Sequence, residues 1–193
     1  MKNNTKPLYS PAKIAGAAER MGRAISRDFA GRTVHVVAIL EDAMVFASDL
    51  IREIRCPVVC HFVRAQAREV SLGGYDRKEI FFSGGVNLKG KDVLLVDAML
   101  DTGVTLDFLA KRMLESRPRS LRIAVLIDRP GARRVPLNPE YRGFEVASSY
   151  VVGYGLAGPE GLYRNLPYLA AVGGRKRGAA RRSARKRNRK AKG

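Results

Sequence analysis

The sequence predicts an α/β domain built on a doubly wound, mainly parallel sheet, with a small irregular cap and a disordered basic tail. Three observations lead there. Short, nearly continuous apolar runs at 34–40, 57–63, 91–99 and 121–128 have the composition of strands buried on both faces. Amphipathic stretches at 43–55 and 104–117 lie between runs, and such alternation of strand and helix argues a parallel sheet. A chain of 193 residues suits one such domain plus a tail and is short for two.

In chain order, residues 10–31 read as a helix. Ser10 suits its N-cap, Pro11 its first position and Gly31 its end. Ile14, Ala18, Met21, Ile25 and Phe29 recur at three- and four-residue steps and make one apolar stripe. VHVVAIL (34–40) is the first strand, AMVFASDLIREIR (43–55) an amphipathic helix and PVVCHFV (57–63) the second strand. Residues 64–83 hold a glycine pair between polar stretches and then an apolar patch, which predicts a mobile loop returning as an edge strand. KDVLLVDAM (91–99), VTLDFLAKRMLESR (104–117) and LRIAVLID (121–128) give the next strand, helix and strand. Residues 141–172, with short apolar runs broken by Gly and Pro, predict the cap. The domain is expected over residues 1–172 and the tail over 173–193.

The net charge of +18 divides unevenly: the first 172 residues carry +7, and residues 173–193 hold eleven Lys or Arg with no acid. The tail's largest apolar residue is alanine, so it cannot bury enough surface to offset the entropy of ordering and is expected to be disordered when free. Such a stretch suits a polyanion: RNA or the ribosome first, DNA next, anionic lipid third, with a merely solubilising tail as the alternative. It has no aromatic residue, so base stacking is not expected. No apolar run approaches the ~20 residues of a membrane-spanning helix, and the N-terminus has no signal-peptide core; no membrane partner and a cytoplasmic location are the expectation. Cys56 and Cys60 read as two buried thiols on one strand face, about 13 Å apart and too distant for a disulfide.

The segment carrying chemistry is VLLVDAMLDTGVTL, residues 93–106: an apolar strand ending in acids, a short Thr- and Gly-bearing loop, then a helix. Ligands of parallel sheets bind beyond the carboxyl ends of strands. A loop that opens a helix offers unpaired N–H groups to an anion. Gly103 permits close backbone approach to a phosphate, and Thr102 and Thr105 add hydroxyl donors. Asp97 and Asp101 beside that phosphate suit sugar hydroxyls or a magnesium ion.

This segment resembles the phosphoribosyl pyrophosphate motif of type I phosphoribosyltransferases: an apolar strand, two acidic positions, two spacers and Asp-Thr-Gly-x-Thr. The resemblance to the hypoxanthine-guanine branch runs colinearly over roughly residues 10–172. ILEDAMVFASDLIREI (39–54) is similar to its pyrophosphate loop and following helix, and IAVLIDRP (123–130) to its base-recognition strand. YRGFEVASSYVVGYGL (141–156) is similar to its purine pocket and GLYRNLPYLAAV (161–172) to its ending. The resemblance implies a type I phosphoribosyltransferase fold and transfer of phosphoribosyl from phosphoribosyl pyrophosphate to a 6-oxopurine in purine salvage, with Mg²⁺ as cofactor. It places Asp101 as the general base near the purine N7. Thr102, Gly103, Val104 and Thr105 line the 5′-phosphate loop; Asp97 faces the ribose hydroxyls and is the candidate metal ligand. Arg129 takes the base-recognising lysine position, Tyr150 stacks on the purine, Val151 offers its backbone to the base edge, and Arg164 reaches pyrophosphate. Dimers or tetramers are common among such proteins, and for a homo-oligomer the resemblance implies no more than that.

The departures fall at reactive positions. The second acid of the pair is Ala98, the magnesium-linked acid is Ala157, and the Ser-Tyr pair of the mobile loop reads Ser71-Leu72. The pyrophosphate loop, Leu-Lys-Gly in the family, is Leu40-Glu41-Asp42, which predicts repulsion of a polyanion unless metal ions intervene. A planar guanidinium at Arg129 is not a free substitute for an ammonium. Several alternatives stay open. Glu41 and Asp42 also suit the N-terminus of the helix starting near Ala43; Tyr150 also suits core packing and Arg164 a surface charge. Two functions follow: a transferase of impaired activity, or a non-catalytic module that binds a purine nucleotide and attaches to RNA through its tail.

Overall fold

The computed structural model describes residues 5–72, 75–83, 86–147 and 150–172, with backbone alone at 5–6, 66–72 and 75–83. The expected tail at 173–193 and the side chains of Ser71 and Leu72 lie outside the described residues.

A strand β1 (Thr5–Tyr9) precedes helix α1 (Pro11–Asp28). Ser10 caps α1 as its sequence suggests, its hydroxyl accepting from the Lys13 N–H at 3.4 Å, with Pro11 in the first turn. Ile14, Ala17, Ala18, Met21, Gly22 and Ile25 form the buried face. Gly22 is where α1 crosses α2 (Met44–Glu53): a Cβ there would stand 2.4 Å from that of Glu53. Only a residue without a side chain allows this approach.

The main sheet contains β2 (Val34–Leu40), β3 (Val58–Leu72), β4 (Tyr75–Ser83), β5 (Asp92–Leu100), β6 (Ser120–Asp128) and β7 (Tyr141–Glu145) in the order β4-β3-β2-β5-β6-β7. All neighbours are parallel except β4, which returns antiparallel along β3. Helices cover both faces. α1 and α2 pack with Val36, Ala38, Leu94 and Val96 on one, and α3 (Val104–Leu114) packs with Val37, Val93, Leu95 and Val125 on the other. This is the doubly wound arrangement expected from the alternation of elements. A second, antiparallel sheet of order β1-β9-β8 is formed with β8 (Tyr150–Val152) and β9 (Leu169–Val172).

Three expectations need correction. The segment 141–172 is not wholly a cap. Tyr141–Glu145 joins the main sheet as its parallel edge, where the buried Tyr141 hydroxyl meets Arg122 at 2.7 Å and Asp28 at 2.9 Å. Gly143 weakened its sequence signal, yet a Cβ there would lie 2.7 Å from the Leu126 carbonyl oxygen. Residues 64–83 do return as an edge strand, but not through a loop that begins at 64: β3 itself runs on to Leu72, so the pair is a long hairpin. The cysteines are not both buried. Cys56 precedes β3 with its thiol against the carbonyls of Ser26 and Phe29, each at 3.3 Å, while Cys60 is exposed; both are free.

Candidate active site

The strand ends that the motif points to do converge. Beyond the carboxyl ends of β2 and β5 lies a cavity of about 380 Å³, bordered by residues 39–42, 64–65, several residues of 97–106, and Arg164. Of the residues named from the sequence, Asp97, Thr102, Gly103, Thr105 and Arg164 line it. Asp101 and Arg129 pair beside it, while Val104, Tyr150 and Val151 are not among its lining.

The turn at 101–103 has its shape for two reasons. Gly103 sits at φ +81°, a left-handed conformation that L side chains resist. A Cβ on it would also stand 2.8 Å from Val135 Cγ2 and 3.2 Å from Arg133 Cδ. The Thr102 hydroxyl accepts from the Val104 N–H at 3.5 Å, and Val104 is exposed on the first turn of α3. Residues 129–134 hold the turn from behind. Arg129 N–H donates to Leu100 O and Arg134 N–H to Thr102 O, each at 2.9 Å. The Arg133 guanidinium donates to Leu100 O at 3.1 Å and Asp101 O at 2.7 Å while also binding the buried Asp128. Sequence reasoning missed Arg133, because GARR reads only as a surface basic run.

Asp97 is part-buried at the end of β5 and accepts from the Ala98 N–H at 2.7 Å. Burial pushes its carboxyl up to about 7, the neighbouring Asp42 adds to the rise, and backbone N–H groups of Ala98 and Met99 oppose it. Ala98, where the family has its second acid, has no exposed surface and belongs to the core under α1 and α2. Asp101 Oδ1 lies 3.1 Å from an Arg129 terminal nitrogen, but the alignment is not that of a hydrogen bond. Asp101 Oδ1 and Arg129 Nε are buried polar atoms without a hydrogen-bond partner among the described residues.

The acids of the 40–42 turn behave differently from either sequence expectation. They do not cap α2, whose N-cap is Ala43 with no side-chain bond. Nor do they stand as bare negative charge. Arg64, on β3 beside the carboxyl end of β2, donates to Glu41 at 2.8 Å, and Arg164 binds Asp42 while approaching Glu41 at 3.5 Å. Two arginines answer the two carboxylates. Arg64 was not singled out from sequence, since only the register Leu40↔Arg64 brings it there. Gly155, at φ +92°, lies against the same turn, where a Cβ would be 2.8 Å from Asp42 O.

Tyr150 is 53% exposed, its hydroxyl 3.4 Å from Ala157 O, so it is not core packing; Val151 is buried. For Mg²⁺, the described residues contain no group of three or more His, Cys, Asp or Glu able to hold a metal ion. Asp97 has Asp42 as its acidic neighbour across the cavity, and its raised proton affinity disfavours the ionised form that a hard cation requires. Among the described residues, the chain's own donors do not gather into a metal site. No described helix is long and apolar enough to cross a membrane.

Known proteins share this architecture. A hypoxanthine-guanine phosphoribosyltransferase of Lactococcus lactis subsp. lactis is 31% identical over 167 residues, 86% of this chain and 90% of that protein. One from Staphylococcus aureus is 30% identical over 173 residues, 89% and 96% of the two chains. Among solved structures, a hypoxanthine-guanine phosphoribosyltransferase from Bacillus anthracis superposes with a TM-score of 0.75 at 35% identity, covering 87% of this chain and 98% of that one. A hypoxanthine phosphoribosyltransferase from Staphylococcus aureus gives 0.79 at 29% identity, covering 87% and 91%. The profile of the phosphoribosyl transferase domain matches residues 5–157. The chain thus belongs to the phosphoribosyl transferase domain family, as a type I member of the hypoxanthine-guanine phosphoribosyltransferase-like kind.

Proposed function

We infer that this protein transfers the phosphoribosyl group of phosphoribosyl pyrophosphate to a 6-oxopurine, a purine-salvage reaction, with a weakened hold on pyrophosphate. The observation that carries this reading is the cavity where Asp97, Thr102, Gly103 and Thr105 meet, with Asp101 beside it. The bond from the sugar C1′ to pyrophosphate breaks as a bond to a purine nitrogen forms, and the base gives up a proton. Asp101 accepts that proton; its Oδ1 is buried, makes no hydrogen bond among the described residues and lies 3.1 Å from the Arg129 guanidinium. Thr102, Gly103, Val104 and Thr105 hold the 5′-phosphate at the start of α3. Asp97 faces the ribose hydroxyls, Arg129 the base oxygen, Tyr150 the purine face and Val151 the base edge. Arg164 and Arg64 are the cations available to pyrophosphate, but each already binds a carboxylate, which weakens that subsite. We assign the tail at 173–193 to RNA or the ribosome on its charge, and the protein to the cytoplasm.

The test is Asp101→Asn. It should cut turnover at least a hundredfold, the usual contribution of general acid–base catalysis being about 10²–10⁴, while nucleoside monophosphate binding persists. Unchanged turnover would remove Asp101 from the base role. A protein that binds nucleotide and turns over nothing would leave the non-catalytic reading.

A further inference from the structure

At the end of the main sheet opposite the cavity, the segments entering β3, β2, β5 and β6 all carry cations. The register sets Val58, Val34, Asp92 and Ser120 in one cross-strand row. One residue before that row stand Lys91 and Arg119; two before it, Arg32; three before it, Arg55, Lys89 and Arg117. With strands about 4.8 Å apart, these cations form a band about 14 Å wide across four adjacent strands. Two of the loops are fastened side by side: the Gly90 N–H donates to Arg117 O at 3.0 Å and the Arg119 N–H to Lys91 O at 2.8 Å.

Little negative charge answers them. The fully buried Asp92 binds Arg119 and takes Arg32 at 3.2 Å and Ser120 Oγ at 2.7 Å. Among the described residues, no acid lies within ion-pair distance of Arg55, Lys89, Lys91 or Arg117, and Glu115 nearby is taken by Arg112. Arg55, Lys89 and Lys91 are exposed. Just beneath the band, His35 is held below the ordinary histidine range by burial, then by His61 and Lys91, against the pull of Asp92.

We propose that this end of the domain docks the phosphodiester backbone of a folded nucleic acid. Residues 31–33, 55–57, 89–91 and 117–119 carry no aromatic or large apolar side chain. They therefore lack the anchors that protein interfaces place at their centre and the wedges that insert into lipid. A rigid row of guanidinium and ammonium groups reads phosphate charge, not base sequence. The surface lies away from the cavity, so nucleotide and nucleic acid bind together, and this assignment does not rest on the proposed activity.

The experiment uses the full chain and a fluorescein-labelled hairpin, as RNA and as DNA of one sequence, by anisotropy from 50 to 200 mM KCl. The variant Arg55→Gln/Lys89→Gln/Lys91→Gln/Arg117→Asn leaves the Asp92 pairs intact. At about 0.9 per phosphate contact, its slope of log affinity against log salt should be shallower by about 3 to 4. Wild type then loses about a hundredfold more affinity across that range. The pair Lys89→Gln/Lys91→Gln should show about half the change in slope, and an unaltered melting temperature certifies its fold. The hairpin whose slope changes identifies the source of the backbone. Unchanged slopes for both hairpins would overturn the proposal, leaving nucleic-acid binding to the tail. So would a variant that loses binding only to phosphatidylserine vesicles.

Discussion

Gly103→Ala tests the turn at 101–103, the proposed phosphate loop, at its tightest point. At φ +81° an L side chain costs about 1–2 kcal/mol. The added methyl would also stand 2.8 Å from Val135 Cγ2 and 3.2 Å from Arg133 Cδ, an overpacking that typically costs about 1–3 kcal/mol. The two effects sum to a loss of about 2–5 kcal/mol, large against the roughly 5–15 kcal/mol that stabilises a domain. Val135→Ala removes the closest atom and relieves only the second effect. Relative to the sum of the single substitutions, the double variant should recover about 1–3 kcal/mol. Arg133 also fixes the carbonyls of Leu100 and Asp101, so displacing it should weaken binding of a purine nucleoside monophosphate at least tenfold. Urea unfolding and titration calorimetry read the two effects. A loss under about 0.5 kcal/mol for Gly103→Ala, or no recovery with Val135→Ala, would refute the account of this turn.

The remaining predictions concern charge. Because Asp97 is raised from 3.8 to about 7, the folded state keeps a proton that the unfolded state has lost between those values. Stability therefore falls as pH rises through that window, and Asp97→Asn should flatten the fall in urea midpoints; an unchanged pH slope would count against a buried carboxyl at that position. A nucleoside monophosphate should bind more tightly than phosphoribosyl pyrophosphate, since Arg64 and Arg164 are engaged by Glu41 and Asp42; calorimetry with both ligands decides it, and the reverse order would show that the arginines release their carboxylates. Ala98→Asp puts a carboxylate where there is no exposed surface. A loss of several kcal/mol and no gain in turnover are expected, whereas a rise in turnover at unchanged melting temperature would show that the new side chain reaches the cavity.

What could be read from the chain is what is contiguous in it. The turn at 101–103 follows its strand and opens its helix within 93–106, so spacing alone located that strand-turn-helix unit. Ser10 and Pro11 marked the start of α1 for the same local reason. The partners of Arg64, Arg133 and Arg164 depend on how distant segments register, and no local pattern encodes that. The same holds for β1, which pairs with β9 across most of the chain, and for β7, whose glycine and short length hid a strand completed by Tyr141, Asp28 and Arg122. The sequence showed acids at 41–42 where the resembling family segment has Lys-Gly; only the structure showed that Arg64 and Arg164 pair with them.

The most direct measurement is steady-state turnover of the full chain with phosphoribosyl pyrophosphate, Mg²⁺ and hypoxanthine or guanine. The account predicts formation of the purine nucleoside monophosphate and pyrophosphate at a rate below the enzyme median of about 10 s⁻¹. KM for phosphoribosyl pyrophosphate should be raised by the engaged arginines. No product with either base, from protein that binds the monophosphate, would contradict it.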